Sequence, residues 1–238
     1  MSLQGEVALV TGASRGVGRA IARRLVREGA EVGLCGRTAG DLEAVAAEIA
    51  AEGGTALACP ADLRDHGQVD ACVARVQEGL GDPGILVNNA GLGWYKGFLE
   101  HTREEIDAVL DVNLRGTISM SYAVLPAMLK RGGGHIVNIA SDLGRRPIPD
   151  MAPYVAAKHA VVGFSHALRR EVRSHGVRVS LLTPGLIDSH FHGGKEGDLD
   201  ETQALRPEAL ASAVCTILLQ PHHMVIDELS LHALGQDA

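Results

Sequence analysis

The stretch that decides the fold runs from Val7 to Gly18 and reads VALVTGASRGVG. Its first four residues, all apolar, predict a buried strand, and from Gly16 onward apolar residues recur at helical spacing until Gly29. The glycines between let the backbone turn tightly and approach a ligand closely. A helix that begins there offers unpaired N–H groups to an anion. The stretch predicts a strand–turn–helix unit, either a phosphate site or a tight junction without a ligand.

The same alternation of short apolar strands and helical patterns fills the rest of the chain. The expected strands are Val7–Val10, Glu31–Cys35, Thr55–Cys59, Ile85–Val87, His135–Ala140, Val177–Leu182 and Met224–Leu229. The expected helices are Gly16–Glu28, Asp41–Ala51, His66–Leu80, Thr102–Arg131, Pro153–His175 and Pro207–Leu219. Near-continuous apolar strands between helices indicate a parallel sheet covered on both faces. We therefore expect an α/β, single-domain doubly wound (Rossmann) fold with a mostly parallel seven-stranded sheet.

Composition narrows the function classes. The chain has 238 residues, 46% of them hydrophobic, and a net charge of −7. It is too apolar to be disordered, and no apolar run approaches the ~20 residues of a membrane span. The negative net charge argues against a general nucleic-acid binder, which would need a basic face. The four cysteines form no C-x-x-C pair. They are expected to be buried thiols in a reducing cytoplasm.

A second motif joins Tyr154 and Lys158, which are four positions apart near the start of an expected helix. This spacing places both side chains on one helix face. A nearby ammonium favours the phenolate and is expected to lower the tyrosine pKa, as general acid–base work near neutrality requires. Ser141, thirteen positions earlier, supplies a hydroxyl that could hold a carbonyl. Alone, the pair would more simply be a surface aromatic–cation contact.

Together these motifs resemble the short-chain dehydrogenase/reductase family. The turn has that family's G-x-x-x-G-x-G spacing, and Asn88-Asn89-Ala90-Gly91 ends the fourth strand as it does there. Asp62-Leu63 after strand three and Pro184-Gly185 after strand six also match. The likeness runs from about Leu3 to Leu231, so residues 1–238 are expected to form one dinucleotide-binding catalytic domain.

The resemblance implies a role for each site residue. Tyr154 would transfer a proton, Lys158 would tune it and bind the nicotinamide ribose, Ser141 would orient the carbonyl, and Asn113 would support a proton relay through water. The implied cofactor-binding residues are Gly12, Ser14, Arg15, Gly16, Val17, Gly18, Arg37, Thr38, Asp62, Leu63, Asn89, Ala90, Gly91, Tyr154, Lys158, Pro184, Gly185, Ile187 and Ser189. The resemblance implies no metal.

The end of strand two indicates which nicotinamide cofactor binds. An acid there would bind the ribose hydroxyls and repel a 2′-phosphate, but this chain has Cys35-Gly36-Arg37-Thr38. Arg37, with Arg15 on the other side, suits a phosphate because guanidinium forks meet its oxygens bidentately. We expect NADP(H) rather than NAD(H), although both arginines could also be merely solvated.

The polar stretch from about 190 to 205 is expected to form a flexible substrate flap. His190 and His192 flank Phe191 near Asp188, a pattern that can bind a metal, although a solvated loop is the simpler interpretation. A substrate pocket could include Trp94, Tyr95, Leu143, Leu186 and Phe191. The two long helices match the family's dimer face, so a homodimer or homotetramer is expected. The C-terminal end departs from the glycine-rich segment common there.

These observations favour an NADP(H)-dependent oxidoreductase. It would move hydride between the nicotinamide and a small-molecule carbonyl/secondary alcohol pair, with a ketone or 3-oxoacyl group as the substrate suggested by analogy. The alternatives are a non-catalytic NADP(H)-binding regulator, an NAD-preferring alcohol dehydrogenase and, less compatibly with the chain length and turn spacing, a nucleotide-sugar epimerase or dehydratase.

Overall fold

The computed structural model describes residues 2–189, 191 and 197–236. Within these ranges seven strands form one sheet in the order β3-β2-β1-β4-β5-β6-β7, and every neighbouring pair is parallel. The strands are β1 Val7–Thr11, β2 Glu31–Gly36, β3 Ala56–Pro60, β4 Ile85–Asn88, β5 Gly134–Ile139, β6 Val177–Pro184 and β7 Glu228–Leu231. The helices are α1 Gly16–Arg27, α2 Ala39–Ala51, α3 His66–Gly79, α4 Arg103–Leu110, α5 Gly116–Arg131, α6 Ala152–Val172 and α7 Pro207–Leu218. The expected doubly wound fold is confirmed.

Each face of the sheet has its own apolar core, because successive strand residues point to opposite sides. Ala8 and Val10 of β1 pack in the core that contains residues of α1, α2 and α7. Val7 and Leu9 pack in the other core, with residues of α3, α5 and α6. The strand order reverses between β1 and β4. In open α/β sheets a crevice opens at that point, beyond the carboxyl ends of the strands.

The long helix expected from 102 to 131 is divided. Its capping box is present, since the Glu105 N–H donates to Thr102 Oγ1 at 3.2 Å and the Thr102 N–H to a Glu105 oxygen at 2.9 Å. Between α4 and α5, however, Asp111–Arg115 form one turn of π-helix. The Asn113 amide lies there and donates to the backbone oxygens of Val109 and Leu92. Single π turns often occur at functional residues.

The last strand begins later than expected. The apolar run from Met224 predicts a strand from there to Leu229, but β7 comprises Glu228–Leu231. A turn at His222 and His223, closed by the Met224 N–H donating to the Pro221 oxygen, comes first, and residues 224–227 have no regular structure. Pairing instead aligns Leu229 with Leu182 and Leu231 with Pro184. This register carries the chain after β7 back to the carboxyl ends of the strands.

The sequence predicts buried cysteine thiols and no apolar run long enough to span a membrane. All four cysteines are buried free thiols. In the described part of the chain, none of the helices combines the length and apolarity needed to cross a membrane.

Candidate active site

A cavity of about 1000 Å³ opens at the carboxyl ends of the central strands. Of the residues implicated by sequence, those that line it are Gly12, Ser14, Arg15, Gly16, Val17, Gly18, Arg37, Asp62, Leu63, Asn89, Ala90, Gly91, Ser141, Tyr154, Lys158, Pro184, Gly185, Ile187 and Ser189. Two do not line it. Thr38 is exposed at the N-terminal cap of α2, and Asn113 is buried behind the wall.

The glycine turn is locked to the end of β4. Gly12 has φ +67°, and a Cβ there would lie 2.9 Å from Ala90 Cα. A Cβ at Gly18 would overlap the Gly12 carbonyl oxygen and lie 2.7 Å from Asn89 Nδ2. The Thr11 hydroxyl oxygen accepts the backbone N–H groups of Asn89 and Ala90, each at 3.0 Å. Two chain segments far apart in sequence thus form one rigid wall that only glycine permits.

The end of the cavity beside β2 is basic. Arg15 and Arg37 both line it and are exposed, and neither forms an ion pair within the described residues. Asp62 also lines it, and its carboxylate accepts from Arg64 Nε at 3.0 Å. That guanidinium lowers the pKa of Asp62, so the carboxylate is ionised near neutrality. This end offers two uncommitted guanidinium groups to an anion.

The opposite wall carries the Tyr154–Lys158 pair. The two side chains lie one turn apart on α6 and are buried, with Lys158 Nζ 5.5 Å from the centre of the Tyr154 ring. Lys158 Nζ donates to the Ile139 carbonyl oxygen at 2.9 Å, and burial lowers its pKa to about 8. Ser141 follows β5 and caps a short 3₁₀ turn, with its oxygen accepting the Leu143 N–H at 3.2 Å.

The expected lowering of the Tyr154 pKa does not appear. Burial raises the pKa of Tyr154 above its ordinary value, a hydrogen bond with the Ser141 hydroxyl lowers it, and the nearby Asp142 carboxylate raises it. Lys158 is not among the groups that lower it. The ammonium engages a backbone carbonyl instead, and removing the phenol from water outweighs the remaining hydrogen bond.

Asn113 stands behind the wall at Gly91. Its Oδ1 is buried and has no hydrogen-bond partner in the described structure, whereas its amide nitrogen has two. A Cβ at Gly91 would lie 2.8 Å from Asn113 Oδ1 and 3.7 Å from Lys158 Nζ. Buried acceptors normally have a protein or water partner. The absence of a side chain at Gly91 leaves both polar atoms facing one small space.

The rest of the cavity wall is mostly apolar. Of the aromatic and aliphatic candidates, Tyr95, Leu143, Leu186 and Phe191 line it, whereas Trp94 does not. Arg146, Ile148, Met151 and Gln236 are among the lining residues that the sequence did not single out. No local motif marks them, because each reaches the cavity through the path of its loop or of the C-terminal tail.

The structure describes only part of the flap expected from 190 to 205. His190 and residues 192–196 lie outside the described residues, so a metal role for His190 and His192 stays untested. Asp188 is buried, and its carboxylate pairs with Arg206 and accepts the N–H groups of Gly197 and Leu199. These contacts indicate that Asp188 anchors the segment that leads to α7.

This arrangement can be set beside known proteins. A family model described as short chain dehydrogenase matches residues 6–199. The chain belongs to the short-chain dehydrogenase/reductase family. It is therefore an oxidoreductase by family.

One curated relative of this short-chain dehydrogenase/reductase is glycine betaine reductase of Emericella nidulans, 36% identical over 235 residues. The match covers 95% of this chain but only 18% of that protein. This oxidoreductase thus corresponds to less than a fifth of that relative's length, and the relative's activity does not transfer with the likeness.

Two solved structures match over nearly their whole length. An alcohol dehydrogenase from the archaeon Thermococcus sibiricus, complexed with 5-hydroxy-NADP, is 34% identical with a TM-score of 0.93, and the match covers 98% of each chain. A variant of actinorhodin polyketide ketoreductase with NADPH is 33% identical with a TM-score of 0.88, and the match covers 99% of each. Both neighbours hold a form of NADP, the nicotinamide cofactor that carries a 2′-phosphate.

Proposed function

We propose that this oxidoreductase is NADP(H)-dependent and interconverts a carbonyl compound and a secondary alcohol, with a ketone or 3-oxoacyl group as the carbonyl. The observation that carries the proposal is one cavity with two ends. Arg15 and Arg37 flank one end, and Ser141, Tyr154 and Lys158 lie together at the other. The cofactors in the two solved neighbours and the ketoreductase name of one support it.

The residues of the first end fit the cofactor. The turn from Gly12 to Gly18 lines the cavity beside the α1 N-terminus, where unpaired N–H groups would hold a pyrophosphate. Arg15 and Arg37 would hold the 2′-phosphate, since no acid stands at the end of β2 to repel it. Asp62 would meet the adenine, and Lys158 would bind the nicotinamide ribose. When bound, NADPH supplies the hydride.

At the second end Ser141 and Tyr154 would act on the carbonyl oxygen. Ser141 donates a hydrogen bond that orients the carbonyl and stabilises the charge that develops on its oxygen. The raised pKa of Tyr154 keeps its hydroxyl protonated at neutral pH, so in the reductive direction it can give its proton to that oxygen. Lys158 Nζ and Asn113 Oδ1 face a common space, which suits a water molecule that returns the proton to Tyr154.

The assembly and the compartment are also proposals. Exposed apolar side chains on α5, among them Ile118 and Tyr122, fit a homodimer or a homotetramer. Light scattering measures this directly, and a monomeric mass would contradict it. The buried free thiols are consistent with the cytoplasm.

The test is NADPH and NADH consumption across ketones, aldehydes, diketones and 3-oxo esters. We expect turnover with NADPH that falls at least about 100-fold in Tyr154→Phe, because general acid catalysis contributes on that order. Tyr122→Phe, an exposed tyrosine on α5, is the matched control and should turn over like the parent. A Tyr154→Phe variant within threefold of the parent would remove the proposed acid. Binding of NADPH without any turnover would favour the regulator, and equal use of NADH the NAD-preferring dehydrogenase.

A further inference from the structure

The C-terminal tail returns over the candidate active site. We call residues 232–236, which follow β7, the strap. Gly235 of the strap donates its N–H to the Thr202 oxygen at 2.7 Å, and Gln236 lines the cavity. The strap thereby contacts the segment that leads to α7 and reaches the reacting end of the cavity.

The Gln236 amide joins the two loops that flank this end. Its Oε1 accepts the Leu186 N–H at 2.9 Å, directly after Pro184-Gly185. Its Nε2 donates to Asp142 Oδ2 at 3.3 Å. One contact needs an acceptor and the other needs a donor. A glutamine amide supplies one of each, whereas a glutamate offers only acceptors.

Asp142 passes this connection on to Ser141. Its Oδ1 accepts the Ser141 hydroxyl at 3.0 Å and the Leu143 N–H at 2.8 Å, while its Oδ2 faces Gln236 and lies 3.6 Å from His232 Nε2. The carboxylate is therefore held on both oxygens. Ser141 Oγ has a fixed position, from which its proton can turn toward a carbonyl without movement of the oxygen.

Gly185 makes room for the connection. A Cβ there would overlap Gln236 Oε1 and lie 2.7 Å from His232 Cδ2. The strap thus packs against the backbone of the loop that lines the cavity. The Gln236 and His232 side chains therefore pack closely against Gly185.

We propose that Gln236 is a positioning residue for the carbonyl reaction, acting through the Asp142 carboxylate to hold Ser141 Oγ and through Leu186 to hold the loop after β6. The inference rests on the proposed function, because Ser141 has this role only if a carbonyl reacts beside it. A misplacement of about 1 Å at a reacting centre can cost as much as roughly 100-fold in rate. The strap is expected to matter for kcat although it lies outside every sequence motif.

The experiment reverses the polarity of the contact. Gln236→Glu sets two carboxylates against each other, and Asp142→Asn sets two amide nitrogens against each other. In the double variant, the introduced asparagine would donate to the introduced glutamate, which would still accept the Leu186 N–H. We expect kcat to fall about tenfold in Gln236→Glu and several-fold in Asp142→Asn, and to return to within threefold of the parent in the double variant. Affinity for NADPH should stay within twofold throughout.

The control is Gln220→Glu, the same change at a side chain that donates to the Thr216 backbone oxygen of α7, and its kcat should match the parent. Two kinetic results would overturn the proposal. One is a double variant at least as slow as the slower single variant. The other is Gln236→Glu with an unchanged kcat.

A second measurement stands apart from turnover. Amide hydrogen exchange at Leu186 and Leu143 should quicken about tenfold in Gln236→Glu and slow again in the double variant. If the parent reduces no carbonyl compound, the proposed function fails, yet this pattern would still show that the strap holds both loops. Unchanged exchange in Gln236→Glu would refute the connection itself.

Discussion

The two ends of the cavity are built differently. At the glycine end, the turn after β1 and the end of β4 touch through backbone atoms, and Thr11 ties them with one hydroxyl. At the strap end, the loops after β5 and β6 and the tail are joined by side chains distant in sequence, such as Asp142 with Gln236 and Asp188 with Arg206. Backbone fit holds the first end, and polar side-chain ties hold the second.

The difference bears on what each end can do. The backbone of the glycine turn would bind the pyrophosphate, which NADPH and NADH share. The close contacts there tolerate almost no substitution. Side-chain ties can be exchanged in pairs without altering the sheet. The proposed division is therefore a fixed cofactor end and a substrate end that sequence changes can retune.

The largest effect should follow from filling the glycine end. Gly18→Val places side-chain atoms on the Gly12 carbonyl, and we expect roughly 3 kcal/mol of lost stability together with at least about 100-fold weaker NADPH binding. Urea unfolding and fluorescence titration measure the two losses. Gly40→Ala is the control, since a Cβ at this α2 position meets no atom within 4 Å. If Gly18→Val bound NADPH normally, backbone fit would not be what holds this end.

The next effect tests the ties of the strap end. Arg206→Leu leaves the buried Asp188 carboxylate without its guanidinium, and we expect about 2–3 kcal/mol of destabilisation because an unpaired buried charge is costly. The KM for the carbonyl substrate should rise by a larger factor than the Kd for NADPH, although Ile187 and Ser189 beside Asp188 also line the cavity. Arg103→Leu, an exposed arginine on α4, serves as control. An equal loss of NADPH affinity would show that the two ends are not separable.

The two ends also differ in how far sequence could predict them. The glycine turn, Asn89 to Gly91 and the Tyr154–Lys158 pair are local motifs, and the cavity brings them together. Helix positions followed from apolar residues at helical spacing, and strand positions from short apolar runs, because a parallel sheet is buried on both faces. The capping box at Thr102 and Glu105 is present, although the long helix predicted after it is divided.

What sequence missed depends on contacts between distant residues. Gln236 contacts Asp142 from the strap after β7, and β7 itself starts at Glu228, four residues after the expected position. The π turn at Asn113 arises where its amide binds Leu92 and Val109, which no helical period reveals. The pKa of Tyr154 is set by burial, and burial is a property of the whole fold.

A smaller effect tests the cost of burying Lys158. Its pKa is about 8 in the folded protein against an ordinary 10.5, so between these values the unfolded chain holds a proton that the folded one has released. Stability should rise with pH through this window, by about 2 kcal/mol from pH 7.5 to 9.5. The burial penalty is full below pH 8 and gone above 10.5.

Urea unfolding of the parent and Lys158→Met at pH 7.5, 8.5 and 9.5 measures this contribution as a difference of slopes. The methionine variant should lack the rise, and Lys130→Met, an exposed lysine on α5, should keep it. Equal slopes in the parent and Lys158→Met would mean that the Ile139 carbonyl keeps the ammonium charged despite its burial.

The smallest effect separates recognition of the 2′-phosphate from the backbone fit beside it. In Arg37→Ala the ratio of kcat/KM for NADPH to that for NADH should fall about tenfold, because one of two guanidinium partners is lost while Arg15 stays. The value for NADH should not change, since the glycine turn is intact, and Arg103→Ala should alter neither. A parallel loss with both cofactors would place Arg37 in the framework of the glycine end. Loss with NADPH alone would show that even this rigid end carries one exchangeable side-chain determinant, at the point where the two cofactors differ.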